Sequence, residues 1–274
     1  MNNKKSTVVL GFGAMGSALV KGWVKNHLVP ASQITAVDID SAKLKIKAVP
    51  LKIKTSTNPS LSLRKAALVL LAVKPQQMKQ LLIENGASIP VDTLVVSIAA
   101  GISTYQIEKA LPQGCPVVRV MPNTPALLGA GMAAVAGGKR AKKNHVKKVL
   151  ELFSAVGKAI EVQEEQLNLV TAVSGSGPAY FFYMVEAMIE SAIKRGLSPN
   201  IASLLVTQTA LGAARMMIET GKTPAELRIQ VTSPGGTTQA ALETMVNRGF
   251  ERVVETAIQS AVNRAAELSR VINS

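Results

Sequence analysis

The sequence has few of the residues that bind metals or cross-link small proteins. Its 274 residues include one cysteine, Cys115, and two histidines, His27 and His145. A single cysteine excludes an internal disulfide framework and a cysteine zinc cluster. Two histidines also argue against a multi-histidine metal site, so we expect the chain to hold no metal.

Aromatic and acidic residues are also scarce. The chain has one Trp, three Tyr and five Phe, and 17 acidic residues against 31 Lys and Arg give it a formal net charge of +14. Proteins that bind single-stranded nucleic acid stack bases on aromatic side chains, so we expect no nucleic-acid partner. The positive charge either attracts small anions or only solvates the surface, and the basic run 139–148 is interpreted as a solvated helix face.

No run of 18 or more apolar residues is free of residues that break it. One long uncharged stretch, 120–138, is interrupted by Pro122, Asn123, Pro125 and four glycines. The sequence therefore predicts no membrane span. The first residues lead directly into a predicted strand without a secretory signal, so the cytoplasm is the expected location.

The first half of the chain alternates short apolar runs, rich in β-branched residues, with helical stretches. Continuous apolar strands are typical of a sheet covered on both faces, which favours parallel βαβ units and a doubly wound, mainly parallel sheet. We predict a helix over 14–25. The predicted strands are 7–10, 34–37, 68–73, 94–98, 117–120 and 133–136.

From about residue 162 the sequence is typical of helices separated by capping residues. Thr223 and Glu226 form a predicted capping box, and further helices are predicted after Pro178, Pro199, Gly236 and Gly249. The helix after Pro178 is apolar nearly all round, which predicts that a second subunit covers it. The alternative is a monomeric bundle with this helix at its centre. We predict an α/β domain over 1–161 and an all-α domain over 162–274.

A G-x-G-x-x-G motif follows the first strand and opens the first helix. In such a motif the first glycine permits a tight turn, the second lets a pyrophosphate approach the backbone, and the third lets helix and strand pack closely. The free N–H groups at the helix N-terminus then bind phosphate. The motif predicts a Rossmann-type dinucleotide-binding domain. The predicted cofactor-binding residues here are Gly11, Gly13, Ala14, Met15 and Gly16.

Asp38 ends the second strand 22 residues after Gly16. An acidic residue at this place accepts a hydrogen bond from a ribose 2′-hydroxyl, which favours NADH over NADPH. Lys43, Lys45 and Lys47 lie just beyond it and are able to neutralise the 2′-phosphate of NADPH, so both cofactors stay open. Small or polar residues that precede or follow further strands are additional cofactor-binding candidates. They are Asn58, Ala72, Val73, Lys74, Pro75, Ala99, Ala100 and Gly101.

Two adjacent glycines precede a late helix in the segment 233–238, Ser-Pro-Gly-Gly-Thr-Thr. Glycines let successive N–H groups converge, and together with a helix N-terminus they make a site for a carboxylate or phosphate. An ordinary Ser or Thr N-cap is the alternative interpretation.

Several stretches resemble the pyrroline-5-carboxylate reductase family. They are 72–75 (AVKP), 121–125 (MPNTP), 173–180 (VSGSGPAY) and 224–242, of which SPGGTT is the most specific part. The resemblance covers essentially the whole chain. It implies reduction of 1-pyrroline-5-carboxylate to L-proline, the final step of proline biosynthesis, by hydride transfer from nicotinamide C4 to the protonated cyclic imine. It also implies a Rossmann domain followed by a helical dimerisation domain, and homodimers that often assemble into decamers of five dimers.

The resemblance also implies the roles of particular residues. The substrate carboxylate would lie against the segment 233–238, and the Thr238 hydroxyl would bond the ring nitrogen and act as the catalytic group. Glu164 or Glu165 would be a further neighbour. The family favours NADPH slightly, against the indication from Asp38. The implied substrate-binding residues are Ser176, Ser233, Gly235, Gly236, Thr237 and Thr238.

Two other functions fit parts of the sequence. A β-hydroxyacid dehydrogenase combines a Rossmann domain with a helical tail, but its chemistry needs a lysine on the interdomain helix, and here Lys194 lies only at the far end of that helix. A non-catalytic nucleotide sensor or nucleic-acid binder would use the positive charge. Oxidation of NADPH that depends on added imine distinguishes an enzyme from a sensor.

Overall fold

The computed structural model describes residues 6–271, and its first part is built on one eight-stranded sheet. The strands are β1 (Ser6–Leu10), β2 (Ile34–Val37), β3 (Lys54–Ser56), β4 (Ala66–Leu71), β5 (Leu94–Ser97), β6 (Val117–Pro122), β7 (Gly131–Gly137) and β8 (Gly157–Glu161). Their order is β3-β2-β1-β4-β5-β6-β7-β8, and all neighbours run parallel except the antiparallel pair β6 and β7. The mainly parallel sheet confirms the predicted fold class.

The sheet is buried on both faces because alternate residues of its central strands enter two different apolar clusters. In β1, Val9 belongs to one cluster, and Val8 and Leu10 belong to the other. Successive side chains of a strand point to opposite faces, so each face of the sheet carries its own core. Trp23 is buried in the first cluster, where its indole Nε1–H donates to the carbonyl oxygen of Leu152 at 2.9 Å.

Helices connect most of the strands of this sheet, and one short helix follows the last strand. They are α1 (Ala14–Lys25), α2 (Ser41–Lys47), α3 (Ser60–Leu63), α4 (Pro75–Asn85), α5 (Thr104–Lys109), α6 (Lys143–Ser154) and α7 (Leu167–Val170), with a π-helical turn over Thr171–Gly175. The predicted helix 14–25 and the six predicted strands are confirmed, with small changes at strand ends. The sequence did not indicate β3 and β8, because β3 is short and both strands carry mostly polar or exposed residues.

The remaining helices follow the predicted pattern of capping residues. They are α8 (Gly177–Lys194), α9 (Pro199–Glu219), α10 (Pro224–Gln230), α11 (Thr237–Asn247) and α12 (Phe250–Val271). The predicted capping box is confirmed, since the Glu226 carboxylate accepts from the Thr223 N–H at 2.7 Å and the Thr223 hydroxyl accepts from the Glu226 N–H at 3.3 Å. Gly196, with φ of 103°, ends α8.

The chain divides into two compact units. The first unit holds the residues up to Ser176 and those from Ala261 onwards, and the second unit is Gly177–Ser260. Domain boundaries at 161 and 162 stay a prediction. Within the second unit, Phe181, Phe182 and Tyr183 on α8 are 67–73% exposed. A monomeric bundle with α8 at its centre is therefore wrong for this chain by itself.

One helix in the described part of the chain, α9, is long and apolar enough to cross a membrane, by length and composition only. Its most apolar 18-residue window has a mean hydropathy of 1.4 and is 11% buried. An unbroken apolar run is a stricter criterion than a window average, which tolerates the Thr, Gln and Gly within α9. The core helix of a soluble protein passes the same test, so the absence of a membrane span stays a prediction.

Candidate active site

The glycine turn after β1 is shaped by contacts that only glycine permits. Gly11 has φ of 91°, and a Cβ there would lie 2.7 Å from the carbonyl carbon of Ala72. A Cβ on Gly16 would lie 2.6 Å from the carbonyl oxygen of Gly11. By contrast, a Cβ on Gly13 would meet no atom within 4 Å. Gly11 and Gly16 are thus needed for packing, whereas Gly13 faces open space beside the N-terminus of α1, where a phosphate is able to approach.

A cavity of about 880 Å³ lies over this turn and the ends of the neighbouring strands. Its volume is within the usual range for small-molecule and cofactor sites. Seven of the predicted cofactor-binding residues line it: Gly11, Gly13, Asp38, Asn58, Ala72, Val73 and Lys74. Seven others do not: Ala14, Met15, Gly16, Pro75, Ala99, Ala100 and Gly101. Among the latter, Ala14 lines a second, smaller cavity between α1 and α2.

Helix α4 also lines the larger cavity, and the sequence-based prediction missed its polar side chains. Gln76, Gln77, Gln80 and Asn85 all border the cavity. The three glutamines lie in the first two turns of α4, which begins at Pro75, and Asn85 is the last residue of the helix. The only signal for them was the position of a helix directly after the Ala72–Lys74 segment, because glutamines on a helix are otherwise typical of a solvated face.

Asp38 is held in place at the end of β2 by four hydrogen bonds. Its carboxylate accepts from the Phe12 N–H at 2.8 Å, from the Asp40 N–H at 3.1 Å, and from Lys43 Nζ at 3.1 Å to each oxygen. Burial raises the pKa of Asp38, but these hydrogen bonds and the Lys43 charge outweigh burial and hold the pKa below its ordinary value. A buried, ionised acceptor therefore borders the cavity where the motif predicts the ribose.

Glu164 lies in the first unit, where its carboxylate contacts helix α5 and strand β6. Its carboxylate accepts from the Thr104 N–H at 2.8 Å, from the Thr104 hydroxyl, and from Arg119 Nη1 at 3.3 Å. Burial lowers the pKa of Arg119, and the Glu164 charge opposes that shift. These contacts indicate that Glu164 joins the N-terminus of α5 to β6, while Glu165 is exposed.

Asn123, at the end of β6, holds the segment that leads to Ser176. Its side-chain amide donates to the carbonyl oxygen and to the hydroxyl of Ser174, both at 3.3 Å, and its Oδ1 accepts from the Met132 N–H at 2.8 Å. Ser174 lies in the π-helical turn, and the Ser176 N–H donates to the carbonyl oxygen of Thr171 at 2.8 Å. Single π-helical turns occur often at functional sites. The sequence motif MPNTP did not reveal this role of Asn123.

In the second unit, the segment 233–238 forms a turn ahead of α11. Gly235 has φ of 70°, and the Gly236 N–H donates to the carbonyl oxygen of Ser233 at 3.0 Å. Gly236 is the N-cap residue, and no side chain caps the helix, so the alternative of an ordinary Ser or Thr cap is wrong. The first residues of α11, Thr237 and Thr238, have no carbonyl within the helix for their N–H groups, which suits an anion.

Gln239 is a further polar residue at this turn, and no sequence pattern indicated it. Its Oε1 accepts from the Gly235 N–H at 2.8 Å, and its amide donates to Glu243 Oε1 at 2.8 Å. The side chain thereby fixes the glycine turn from the third residue of α11. Ser176 belongs to the first unit and the segment 233–238 to the second, so their joint contact with substrate stays a prediction.

Comparison with known proteins identifies relatives along the whole chain. A family model described as pyrroline-5-carboxylate reductase dimerisation matches residues 164–268, and one described as NADP oxidoreductase, coenzyme F420-dependent, matches residues 6–101. The pyrroline-5-carboxylate reductase of Methanosarcina acetivorans is 40% identical to this chain and covers 98% of it, with 100% of its own length matched.

Two solved structures show the same similarity in three dimensions. A pyrroline-5-carboxylate reductase from Coxiella burnetii has a TM-score of 0.90 and 35% identity, with 97% of this chain and 98% of the other covered. A pyrroline carboxylate reductase from Plasmodium falciparum, solved with NADP bound, has a TM-score of 0.85 and 25% identity, with 97% and 98% covered. The chain is a member of the pyrroline-5-carboxylate reductase family.

Proposed function

We propose that this protein reduces 1-pyrroline-5-carboxylate to L-proline with NADH or NADPH, the final step of proline biosynthesis. The observation that carries the proposal is the cavity over Gly11, Gly13 and Asp38, in a chain whose whole length matches reductases of that name. The chain also keeps the SPGGTT segment as a glycine turn at a helix N-terminus. These features together supply a dinucleotide site and an anion site.

The residues around the cavity fit a nicotinamide dinucleotide. Gly13 leaves open space beside the N-terminus of α1 for the pyrophosphate, and Asp38 offers an ionised acceptor for a ribose hydroxyl. When bound, the reduced nicotinamide supplies a hydride from its C4 atom. The chain's own part is to hold the ribose and the pyrophosphate so that the ring has a fixed position relative to the substrate.

The substrate is a cyclic imine with a carboxylate, and the segment 233–238 suits both groups. The N–H groups of Thr237 and Thr238 donate to the carboxylate, and Ser233 and Ser176 are proposed to add hydroxyl donors. The Thr238 hydroxyl accepts from the protonated ring nitrogen and holds that proton in place. The hydride pair then adds to the imine carbon, the C=N double bond becomes a single bond, and the nitrogen keeps its proton and becomes the neutral amine of proline.

Steady-state kinetics with NADH and with NADPH on the same imine test the proposal. We expect cofactor oxidation that depends on added 1-pyrroline-5-carboxylate, with L-proline as the product by chromatography. The reaction without imine is the control for slow oxidation by solvent. A protein that binds the dinucleotide but oxidises it no faster with imine than without would contradict the proposed reaction.

The second unit supports assembly of the protein with copies of itself. The model for the family's dimerisation domain matches residues 164–268, and α8 and α9 expose many apolar side chains in the single chain. We propose a homodimer as the basic assembly, decamers of five dimers as its larger form, and the cytoplasm, which supplies reduced nicotinamide cofactors, as its location. Sedimentation at micromolar concentration tests the assembly, and a single species of 28.8 kDa would contradict it.

A further inference from the structure

We propose that Lys43 determines whether the dinucleotide site accepts a 2′-phosphate, and that the Asp38–Lys43 ion pair lets this protein use both NADH and NADPH. The inference rests on the proposed function in one respect, namely that the cavity over the glycine turn binds a nicotinamide dinucleotide. It assigns the choice between the two cofactors to one flexible cation rather than to Asp38 alone.

The Asp38 and Lys43 side chains differ in how freely they are able to move. The Asp38 side chain is 8% exposed, and the N–H groups of Phe12 and Asp40 fix its carboxylate at 2.8 and 3.1 Å. Lys43 Nζ contacts both carboxylate oxygens at 3.1 Å, but the lysine side chain is 34% exposed. Asp38 is therefore a fixed charge, whereas Lys43 is a charge on a flexible stem that is able to move.

The second step separates Lys43 from the other lysines of α2. Lys43 lines the large cavity together with Asp38. Lys47 lines the second cavity, between α1 and α2, and Lys45 is exposed and lines neither cavity. The sequence left all three lysines as candidates for a 2′-phosphate, and the structure places only Lys43 beside the acceptor for the ribose.

The third step concerns the other charges around the cavity. The titratable side chains that line it are those of Asp38, Lys43, Lys74 and Glu84. Lys74 follows β4 and precedes α4, and Glu84 lies near the end of α4, where it accepts a hydrogen bond from Gln80. Neither residue contacts Asp38, so Lys43 is the cation that balances the carboxylate at the end of β2.

The fourth step compares the two ligands. A ribose with a free 2′-hydroxyl donates to the Asp38 carboxylate while Lys43 stays paired with it. A ribose with a 2′-phosphate brings negative charge beside Asp38, which alone would repel it. Lys43 then leaves one Asp38 oxygen and binds the phosphate. Because the Asp38 carboxylate and the Lys43 ammonium carry opposite charges, the pair has no net charge and does not repel either ligand. The pair thus tolerates both forms of the cofactor.

Binding of two ligands that lack the nicotinamide tests this inference without any turnover. Calorimetry would measure ADP-ribose and 2′-phospho-ADP-ribose on the wild type, on Lys43→Met and on the matched control Lys45→Met. Because a hydrogen bond to a charged group contributes enough for about a ten-fold change in affinity, we expect Lys43→Met to weaken the phosphorylated ligand at least about ten-fold. We expect ADP-ribose to change by less than about three-fold, and Lys45→Met to change neither ligand.

Asp38→Asn gives the opposite result if the inference is right, because it removes the charge that repels the phosphate. It should weaken the binding of ADP-ribose and strengthen the binding of 2′-phospho-ADP-ribose. The ratio of kcat/KM for NADPH to kcat/KM for NADH should rise in this variant and fall in Lys43→Met.

Two results for Lys43→Met would overturn the inference while the dinucleotide site stands: equally weakened binding of both ligands, or unchanged binding of both. A wild type that binds neither ligand would overturn the dinucleotide site itself, and the inference with it.

Discussion

The two units of the chain differ in how much of their apolar surface the chain itself covers. In the first unit both faces of the sheet are buried, and Val8 and Val9 on opposite faces are both 0% exposed. In the second unit Phe181, Phe182 and Tyr183 leave two thirds or more of their surface in solvent. Large exposed apolar patches mark interaction surfaces. The first unit is thus complete within one chain, and the second unit is expected to be completed by another copy.

The same difference applies to the candidate site residues. Gly11 and Asp38 each have a partner far away in the sequence, since the Gly11 N–H donates to the carbonyl oxygen of Val37 at 2.8 Å and Asp38 accepts from the Phe12 N–H. The segment 233–238 is held by bonds to residues within four positions, from Gly236 to Ser233 and from Gly235 to Gln239. We therefore expect the dinucleotide site to resist changes in the second unit, and the anion site to depend on its local turn and on assembly.

The largest effect is expected from a charge on the exposed apolar face of α8. Phe182→Asp places a carboxylate where we propose that a second copy packs, and it does so in both copies of a dimer. Since one truncated anchor residue costs about 2 kcal/mol or more of binding free energy, the two together should weaken association by about 4 kcal/mol or more. Sedimentation should then show a species of 28.8 kDa, and imine reduction should be lost.

ADP-ribose binding by Phe182→Asp tests whether the first unit works independently of assembly. We expect it to be unchanged, because the first unit carries that site. Lys194→Ala is the control on the same helix, since its side chain is 75% exposed and its ion pair with Glu190 is a surface pair of little energy. An intact dimer in Phe182→Asp would contradict the proposed interface.

A slightly smaller effect is expected in the first unit from Gly11→Ala. Its Cβ would lie 2.7 Å from backbone atoms of Ala72, and the residue would keep a φ of 91° that alanine rarely adopts. Strain and overpacking together should lower the free energy of unfolding by about 3 kcal/mol, measured with urea. Gly13→Ala is the matched control, because its Cβ meets nothing within 4 Å. That variant should keep its stability and lose affinity for ADP-ribose, and equal destabilisation by both would refute the assigned roles.

The parts of the fold and site that the sequence predicted are those with a repeated local pattern. The buried strands, the glycine turn and Asp38 each follow from hydrophobic runs or fixed spacing. The strand Lys54–Ser56 was missed because its residues are polar, and it pairs only through the backbone with β2. The Gln239 hydrogen bond and the Lys43–Asp38 ion pair could not be predicted from the sequence. The position of a long side chain depends on which rotamer the folded surroundings select.

Thr238→Val tests the chemistry at the second unit with a smaller effect. The valine keeps the shape of threonine and removes the hydroxyl that we propose to accept from the protonated ring nitrogen. Loss of a hydrogen bond to a charged group costs about 1.5–3 kcal/mol, so kcat/KM for the imine should fall about 10- to 100-fold. ADP-ribose affinity should stay the same. Thr244→Val on the same helix, whose hydroxyl only donates to Ala240 at 3.0 Å, should have normal kinetics, and normal kinetics in Thr238→Val would reject the role.

The smallest effect is expected from Gln239→Leu. This substitution tests whether local contacts alone hold the anion site at the segment 233–238. The substitution removes the 2.8 Å bond from the Gly235 N–H and leaves the helix and its exposed first-turn N–H groups in place. A neutral hydrogen bond contributes about 1 kcal/mol, so the KM for the imine should rise about five-fold while kcat stays near its wild-type value. A structural defect of the whole unit would instead lower kcat and release dimers, which sedimentation would reveal. An unchanged KM would mean that the contacts within one chain are not enough to explain how the turn is held, and that contacts from a partner subunit also hold it.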